Sequence, residues 1–258
     1  MGNQQRGGGS SDPPKILDPK DPRLNKVIHV RSNGRLSGPP PPILDKERPW
    51  CRVYYSELTQ RVGSPFEAYK STVTIDGTMP GFQTQSRMAL ASFPTARDPR
   101  CGLVRIQIGE GISLTYNGET IVLTVLSDQP TFVLCPFVNY FMGDSPTTVL
   151  RVQNLKEENS EGKKSKPAEK KTLTLFNKKQ FDEELKKHYE NPTEDGFDFI
   201  RSLGSCKISF IKGFGDGYTR QFVSNCSCWV DIAFSDPLEA YDKFARQNAD
   251  ILEGTDSQ

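Results

Sequence analysis

Histidine is nearly absent from this chain: only His29 and His188 occur in 258 residues. A His-based catalytic arrangement, or a metal site built on imidazole, would need unusual ligands. The six cysteines do not fill the gap. Cys226-Ser227-Cys228 is too tightly spaced for two ligands of a standard zinc finger, and no Cys-x-x-Cys completes a site. Met1 to Arg6 lack the apolar core of a signal peptide, so the cysteines read as reduced thiols. Arg6 also stands where an N-myristoylation motif requires Ser or Thr. No apolar run approaches the roughly 18 residues of a membrane-spanning helix. Charge of one sign is not in excess either. The 33 Lys and Arg balance 32 Asp and Glu, which leaves no basic footprint for a nucleic-acid duplex. Asp76, Asp128 and Asp231 form no recognisable acid/base pair by spacing, and no nucleophile–base motif is present. The absences point away from an enzyme, a metalloprotein and a direct DNA binder.

The chain's texture changes once, near residue 50. Residues 1–49 are rich in Gly, Pro and Ser, with Gly7-Gly8-Gly9 and Pro39-Pro40-Pro41-Pro42, and read as a disordered or polyproline linker. From Trp50 onward, short β-like runs separated by turn signals predominate. Strands are expected at Val73–Ile75, Leu103–Ile106, Thr131–Cys135, Thr148–Val152, Thr172–Phe176, Cys206–Ile211 and Cys228–Phe234. Ile112–Tyr116 and Glu119–Leu126 flank Asn117-Gly118, which predicts a hairpin with a type I′ turn. Helices gather in the last third. Asn177 and Gln180 have capping-box spacing ahead of Phe181, Leu185 and His188/Tyr189. Gly196–Leu203 sets Phe197 and Ile200 on one face. A last helix is expected with Asp236 as N-cap, Pro237 at its first position, and a stripe of Leu238, Tyr241 and Ala245 beside Phe244. Residues 156–171 form a polar insertion. Its run Lys163-Lys164-Ser165-Lys166 is either a nuclear-import patch or part of a solvated loop whose glutamates offset the charge. Many short strands with turn signals argue for a β-sandwich.

Between Ser205 and Phe234 two strand-like runs enclose a loop on Gly213, Gly215 and Gly217, shouldered by Lys212, Tyr218 and Arg220. Glycines let a backbone approach a ligand closely, and a fixed Lys and Arg beside a phenol can cradle a phosphate. The loop lacks P-loop spacing, and no helix follows it. On chemistry alone two readings stand, an anion-binding loop and a glycine-rich hairpin connection.

Phe210-Ile211-Lys212-Gly213-Phe214-Gly215, Tyr218-x-Arg220-Gln221 and Cys228-Trp229-Val230 resemble the signature of the C-terminal Mad-homology (MH2) domain of Smad proteins. Trp50–Leu58 and Gln60–Gly63 are similar to that domain's opening. Thr74-Ile75-Asp76-Gly77, Ile108-Gly109-Glu110-Gly111, Leu126-Ser127-Asp128, Leu175-Phe176-Asn177 and Pro237–Lys243 follow in the family's order. The likeness runs from about Trp50 to Arg246. It implies a mainly β fold with α, a β-sandwich with a helical bundle at one end and a loop–helix region at the other. The implied domain is 50–248, followed by a flexible tail at 249–258.

The resemblance assigns roles to residues as well. Lys212, Tyr218 and Arg220 match the positions that contact phosphate on a neighbouring subunit's phosphorylated tail. Gly213, Phe214, Gly215, Thr219 and Phe222 belong to the loop that meets the activated receptor kinase. Phe214 replaces the family's Trp, and Thr219 and Phe222 fit neither usual pathway pattern. Asp76, Arg105 and Asp242 match a charged set that joins subunits in the Smad trimer. Glu110 replaces a basic residue. Receptor-regulated Smads end in Ser-Ser-x-Ser; here Thr255 and Ser257 keep the alternate spacing, displaced by one residue, and are the expected phosphorylation positions. The region from Lys178 to Leu203 lacks the long insert of common-mediator Smads. Family members generally carry an N-terminal DNA-binding domain, for which only a linker-like stretch stands here.

The implied function is transduction of transforming-growth-factor-β-type signals between cytoplasm and nucleus, by assembly with other Smads and regulation of transcription through partners. The implied partners are Smad proteins in a trimer, a type I receptor serine/threonine kinase and transcription cofactors, with no direct DNA contact, no membrane and no cofactor or metal. An inhibitory or decoy Smad, and a phosphopeptide-binding adaptor outside transcription, are the alternatives.

Overall fold

The structure, a computed structural model, describes residues 48–79, 81–94, 98–153 and 171–253. Residues 1–47 of the linker expected at 1–49, residues 156–170 of the insertion expected at 156–171 with its lysine run, and Thr255 and Ser257 lie outside the described residues.

Two sheets face each other. The first contains β1 (Cys51–Glu57), β2 (Gln60–Arg61), β3 (Phe66–Ala68), β8 (Thr131–Leu134), β9 (Leu150–Val152), β11 (Ser205–Phe210) and β12 (Trp229–Phe234). Its order is β2-β1-β12-β11-β8-β9, with β3 sharing the outer edge of β1. The second contains β4 (Thr72–Asp76), β5 (Arg87–Ala89), β6 (Ile112–Tyr116), β7 (Thr120–Val125) and β10 (Thr172–Asn177), in the order β10-β7-β6-β4-β5. All pairings are antiparallel except β4 with β5. The period-2 pattern fixes register by burial. In β12, for example, Val230, Ile232 and Phe234 are buried, while Trp229, Asp231 and Ala233 point away from the core. Val53, Ile75, Leu114, Leu123, Val133, Leu175 and Ile208 fill the space between the sheets.

Strand ends then define two poles. At one pole the N-terminus of β1 and the C-terminus of β12 meet, Cys51 opposite Phe234. Three helices gather there: α3 (Lys178–Glu190), α4 (Glu194–Ser202) and α5 (Ser235–Gln247), with the short α6 (Ala249–Glu253) after them. Asn177 and Thr193 cap the first two through their side chains, accepting from the backbone N–H of Gln180 and Gly196. The bundle closes on Phe244, which stacks on Phe197 at 4.6 Å and meets Tyr189 edge-on at 4.8 Å. At the opposite pole lie α1 (Pro99–Ile108), the loop after β4 and the long loop between β11 and β12. A further helix, α2 (Pro136–Met142), packs beside β10 through Phe137 and Phe176, 5.2 Å apart. The observed architecture is the β-sandwich with a helical bundle at one end and a loop–helix region at the other.

Three local expectations are corrected. Leu103–Ile106, expected as a strand, is the middle of α1. Asp98 caps that helix through the N–H of Arg100, and Pro99 starts it. Cys101, Val104, Arg105 and Ile108 are buried, a spacing of three and four that a short run of β-favouring residues conceals. The β6–β7 hairpin forms, but its two loop residues are Gly118 and Glu119, because Tyr116 pairs with Ile121. Gly118 alone takes a positive φ, 93°, the pattern of a type II′ turn, while the Asn117 side chain accepts from the N–H groups of Glu119 and Thr120. The last helix begins at Ser235, not Pro237. Asp236 is no cap: its carboxylate accepts from the Tyr116 hydroxyl at 2.6 Å and from Arg48 at 2.6 Å.

Candidate functional site

Residues 211–228 fold back over the outer face of the first sheet and build a small core of their own there. Phe214, Cys226, Phe132 and Val149 are buried together, with Tyr218, Val223, Leu134 and Trp229 packed against them. Phe214, in the place of the family's Trp, is the loop's anchor and is 3% exposed. The ring of Tyr218 stands edge-on to Phe132 at 5.4 Å. Gly213 leaves room for the Tyr218 ring: a Cβ there would lie 2.3 Å from it and force the ring to shift. The turn itself is held by backbone bonds, the Gly215 N–H donating to Arg220 O and the Tyr218 N–H to Gly215 O. Gly215 and Gly217 take φ of 83° and 81°, values side chains avoid.

This scaffold leaves cations at its surface. Lys212 is exposed and Arg220 half-buried. Among the described residues no carboxylate lies within ion-pair distance of either. A third cation joins them. Arg151, on β9, has its guanidinium 6.0 Å from the centre of the Phe132 ring and otherwise donates to the neutral Gln153 side chain at 2.7 Å. Partial burial pushes the Tyr218 phenol's pKa up, with the Arg151 charge opposing. Tyr218 therefore remains a neutral donor at physiological pH. Lys212 and Arg220 lie on the same loop as this phenol, and Arg151 meets it over the Phe132 ring; these residue types make a donor set suited to a phosphate. The sequence points to Lys212, Tyr218 and Arg220 as candidates because they share one contiguous stretch. It does not point to Arg151, which comes beside the loop through the pairing of β8 with β9. Thr219 and Phe222 sit on the outer rim, with Phe222 70% exposed.

The other predicted set is divided between the poles. Asp76, at the end of β4, is 5% exposed and accepts a two-pronged contact from Arg87, both oxygens at 2.7 Å, plus the Thr78 hydroxyl. Burial opposes ionisation of this carboxyl, but the Arg87 and Thr78 hydrogen bonds outweigh it and hold its pKa below the usual value. Arg105 is committed within the protomer. Its Nε donates to Glu57 and to the Tyr55 hydroxyl, and its Nη1 donates to the carbonyls of Phe93 and Pro94. It ties α1 to β1. Asp242 lies on the exposed face of α5, at the bundle pole. Near Asp76 and α1 four large apolar side chains are exposed: Met79 (72%), Phe82 (64%), Leu103 (62%) and Ile106 (66%). Glu110 is exposed at the same pole. Among the described residues, no group of three His, Cys, Asp or Glu could hold a metal ion. Among them, too, no helix is long and apolar enough to cross a membrane.

Comparison with known proteins places these features in a family. The family model for the MH2 domain matches residues 48–235. The Smad-related protein daf-14 of Caenorhabditis elegans is 36% identical over 235 residues, which is 90% of this chain and 67% of that protein. Among solved structures, the interferon regulatory factor 9 IAD domain gives a TM-score of 0.47 at 12% identity, covering 81% of this chain and 95% of that one. A structure of STAT2 in complex with IRF9 gives 0.46 at 12% identity, covering 78% and 99%. At those scores the structural likeness carries nothing about function. The family match and the relative suffice: the chain belongs to the Smad family, transducers of transforming-growth-factor-β-type signals, and residues 48–235 are its MH2 domain, a non-enzymatic protein-interaction module.

Proposed function

We propose that this protein transduces its signal by receiving a phosphorylated peptide tail on the 211–228 loop and assembling with other Smad subunits. The supporting observation is that Lys212 and Arg220 on the loop, and Arg151 beside the neutral Tyr218, have no carboxylate within ion-pair distance among the described residues, while the loop is anchored by its own apolar core. Bringing phosphate to uncompensated surface cations has little desolvation to overcome, and each charge-assisted contact contributes roughly 1.5–3 kcal/mol. Assembly fits the division between the poles. A head-to-tail contact needs two different surfaces. The apolar group Leu103, Ile106, Met79 and Phe82 beside Asp76 offers one, and the α5 face with Asp242 offers the other. The receptor kinase would meet the same loop along its exposed rim at Thr219 and Phe222. In this reading the protein works in cytoplasm and nucleus and acts on transcription through cofactors.

The test is titration of the protein with a synthetic peptide ending Ser-Ser-x-Ser, its last two serines phosphorylated, against the unphosphorylated peptide. Phosphate-dependent binding that weakens about tenfold or more in each of Lys212→Ala, Arg220→Ala and Arg151→Ala, with unchanged melting, is expected. Equal binding of both peptides would refute the reading.

A further inference from the structure

Among the described residues only two non-glycine positions take a positive φ, Leu58 at 52° and Ile211 at 68°. Both touch the 211–228 loop. The Leu58 N–H donates to Cys226 O, and the Trp229 indole donates to Leu58 O at 2.8 Å. Ile211 is the loop's first residue. For a β-branched side chain a positive φ is a genuine outlier. Here it accompanies a bond from the Lys212 N–H to the Phe210 carbonyl at 2.7 Å, two residues apart. Those features together define the strained, positive-φ form of the γ-turn. It reverses β11 abruptly, so that the strand is buried through Phe210 while Lys212 stands in solvent.

Such a turn persists only where its surroundings over-determine it. The Ile211 N–H is anchored on Pro130 O at 2.9 Å. On the far side, the Ser209 hydroxyl donates to the Lys212 carbonyl at 2.7 Å, with the Cys226 thiol reaching the same oxygen at 3.5 Å. Ser209 is wholly buried, on the outer face of the sheet and beneath the loop. A strand position covered in this way would ordinarily take an apolar residue; here the hydroxyl bonds the Lys212 carbonyl and lies beside the Cys226 thiol, both of them parts of the loop above it.

We propose that Ser209 is a positioning residue: its hydroxyl locks the strained γ-turn at Ile211 and so fixes the Lys212 backbone from which the ammonium reaches the phosphate. The inference rests on the phosphopeptide reading of this loop and adds to it a residue that touches no ligand. Pre-setting the backbone removes the ordering cost that a free loop would meet on binding.

The experiment is a double-mutant cycle between Ser209→Ala and Lys212→Ala. It uses the whole chain and the doubly phosphorylated Ser-Ser-x-Ser peptide, with thermal melting to confirm the fold. Ser209→Ala is expected to weaken binding about 3- to 10-fold in the wild-type background and less than about 1.5-fold when Lys212 is already Ala. A ligand-free measurement accompanies it: the Lys212 amide order parameter, near 0.85 in rigid backbone, is expected to fall in Ser209→Ala toward flexible values. Equal losses in both backgrounds, or an unchanged order parameter, overturn the positioning role. If the wild type binds no phosphopeptide, the functional reading fails by itself and the order parameter still decides whether Ser209 holds the turn.

Discussion

At the scale of single residues, Asp76 shows how a buried charge is kept. Its folded-state pKa lies below the unfolded value of about 3.9. The stability it contributes is therefore fully present above that value and is lost as pH falls through the folded pKa. Asp76→Asn should be less stable by about 1–3 kcal/mol at pH 7, the higher end reflecting a guanidinium left without its charge partner. Chemical-denaturation midpoints measured from pH 7 down to 3 should show the wild type converging on the variant below about pH 4. Parallel curves would mean that Asp76 does not titrate in this way. Gly213→Ala is a second residue-scale case, since its Cβ would meet the Tyr218 ring at 2.3 Å. The ring has to turn away, and phosphopeptide affinity should drop about tenfold, the loss of one charge-assisted contact, with the sheets intact by circular dichroism. Lys212, Tyr218 and Arg220 could be singled out as candidates in the sequence because one short loop carries them all. Arg151 and Ser209 could not, because one comes beside the loop across a strand pair and the other lies beneath it.

Elements were legible to the extent that a single signal governed them. Strands with clean alternation, such as Trp229–Phe234, and helices with a side-chain cap, such as the one following Asn177, stand where the sequence put them. α1 was not legible as a helix. Leu103-Val104-Arg105-Ile106 is apolar and β-branched, and its helical nature comes from Asp98 and Pro99 upstream and from burial of Val104, Arg105 and Ile108. Asp98→Ala should accordingly cost about 1 kcal/mol, read from denaturant midpoints, because the cap is this helix's start signal. The bundle depends on Phe244, fully buried between α4 and α3. Phe244→Ala should destabilise the protein by about 3–5 kcal/mol. In hydrogen exchange, amides of the bundle helices should lose protection before those of the central strands. Loss confined to the sheets would contradict the packing described.

Across the whole molecule, the sandwich separates two chemistries by its length. One pole carries the 211–228 loop, α1 and four exposed apolar side chains; the other carries the helical bundle and Asp242. The sequence conveyed the sandwich and its poles through the family's ordered motifs. It did not convey that Arg105 is spent inside the protomer, holding α1 to β1 through Glu57. Assembly should therefore respond to Ile106→Asp and to Asp242→Lys, one change at each pole, with monomer stability altered by less than about 0.5 kcal/mol as for exposed positions generally. The most direct test is the sedimented mass of this protein mixed with a Smad MH2 domain whose Ser-Ser-x-Ser tail is either phosphorylated or not. The account predicts a mixed trimer with the phosphorylated tail only, lost in Lys212→Ala. A complex that forms equally with both tails, or with neither, would contradict it.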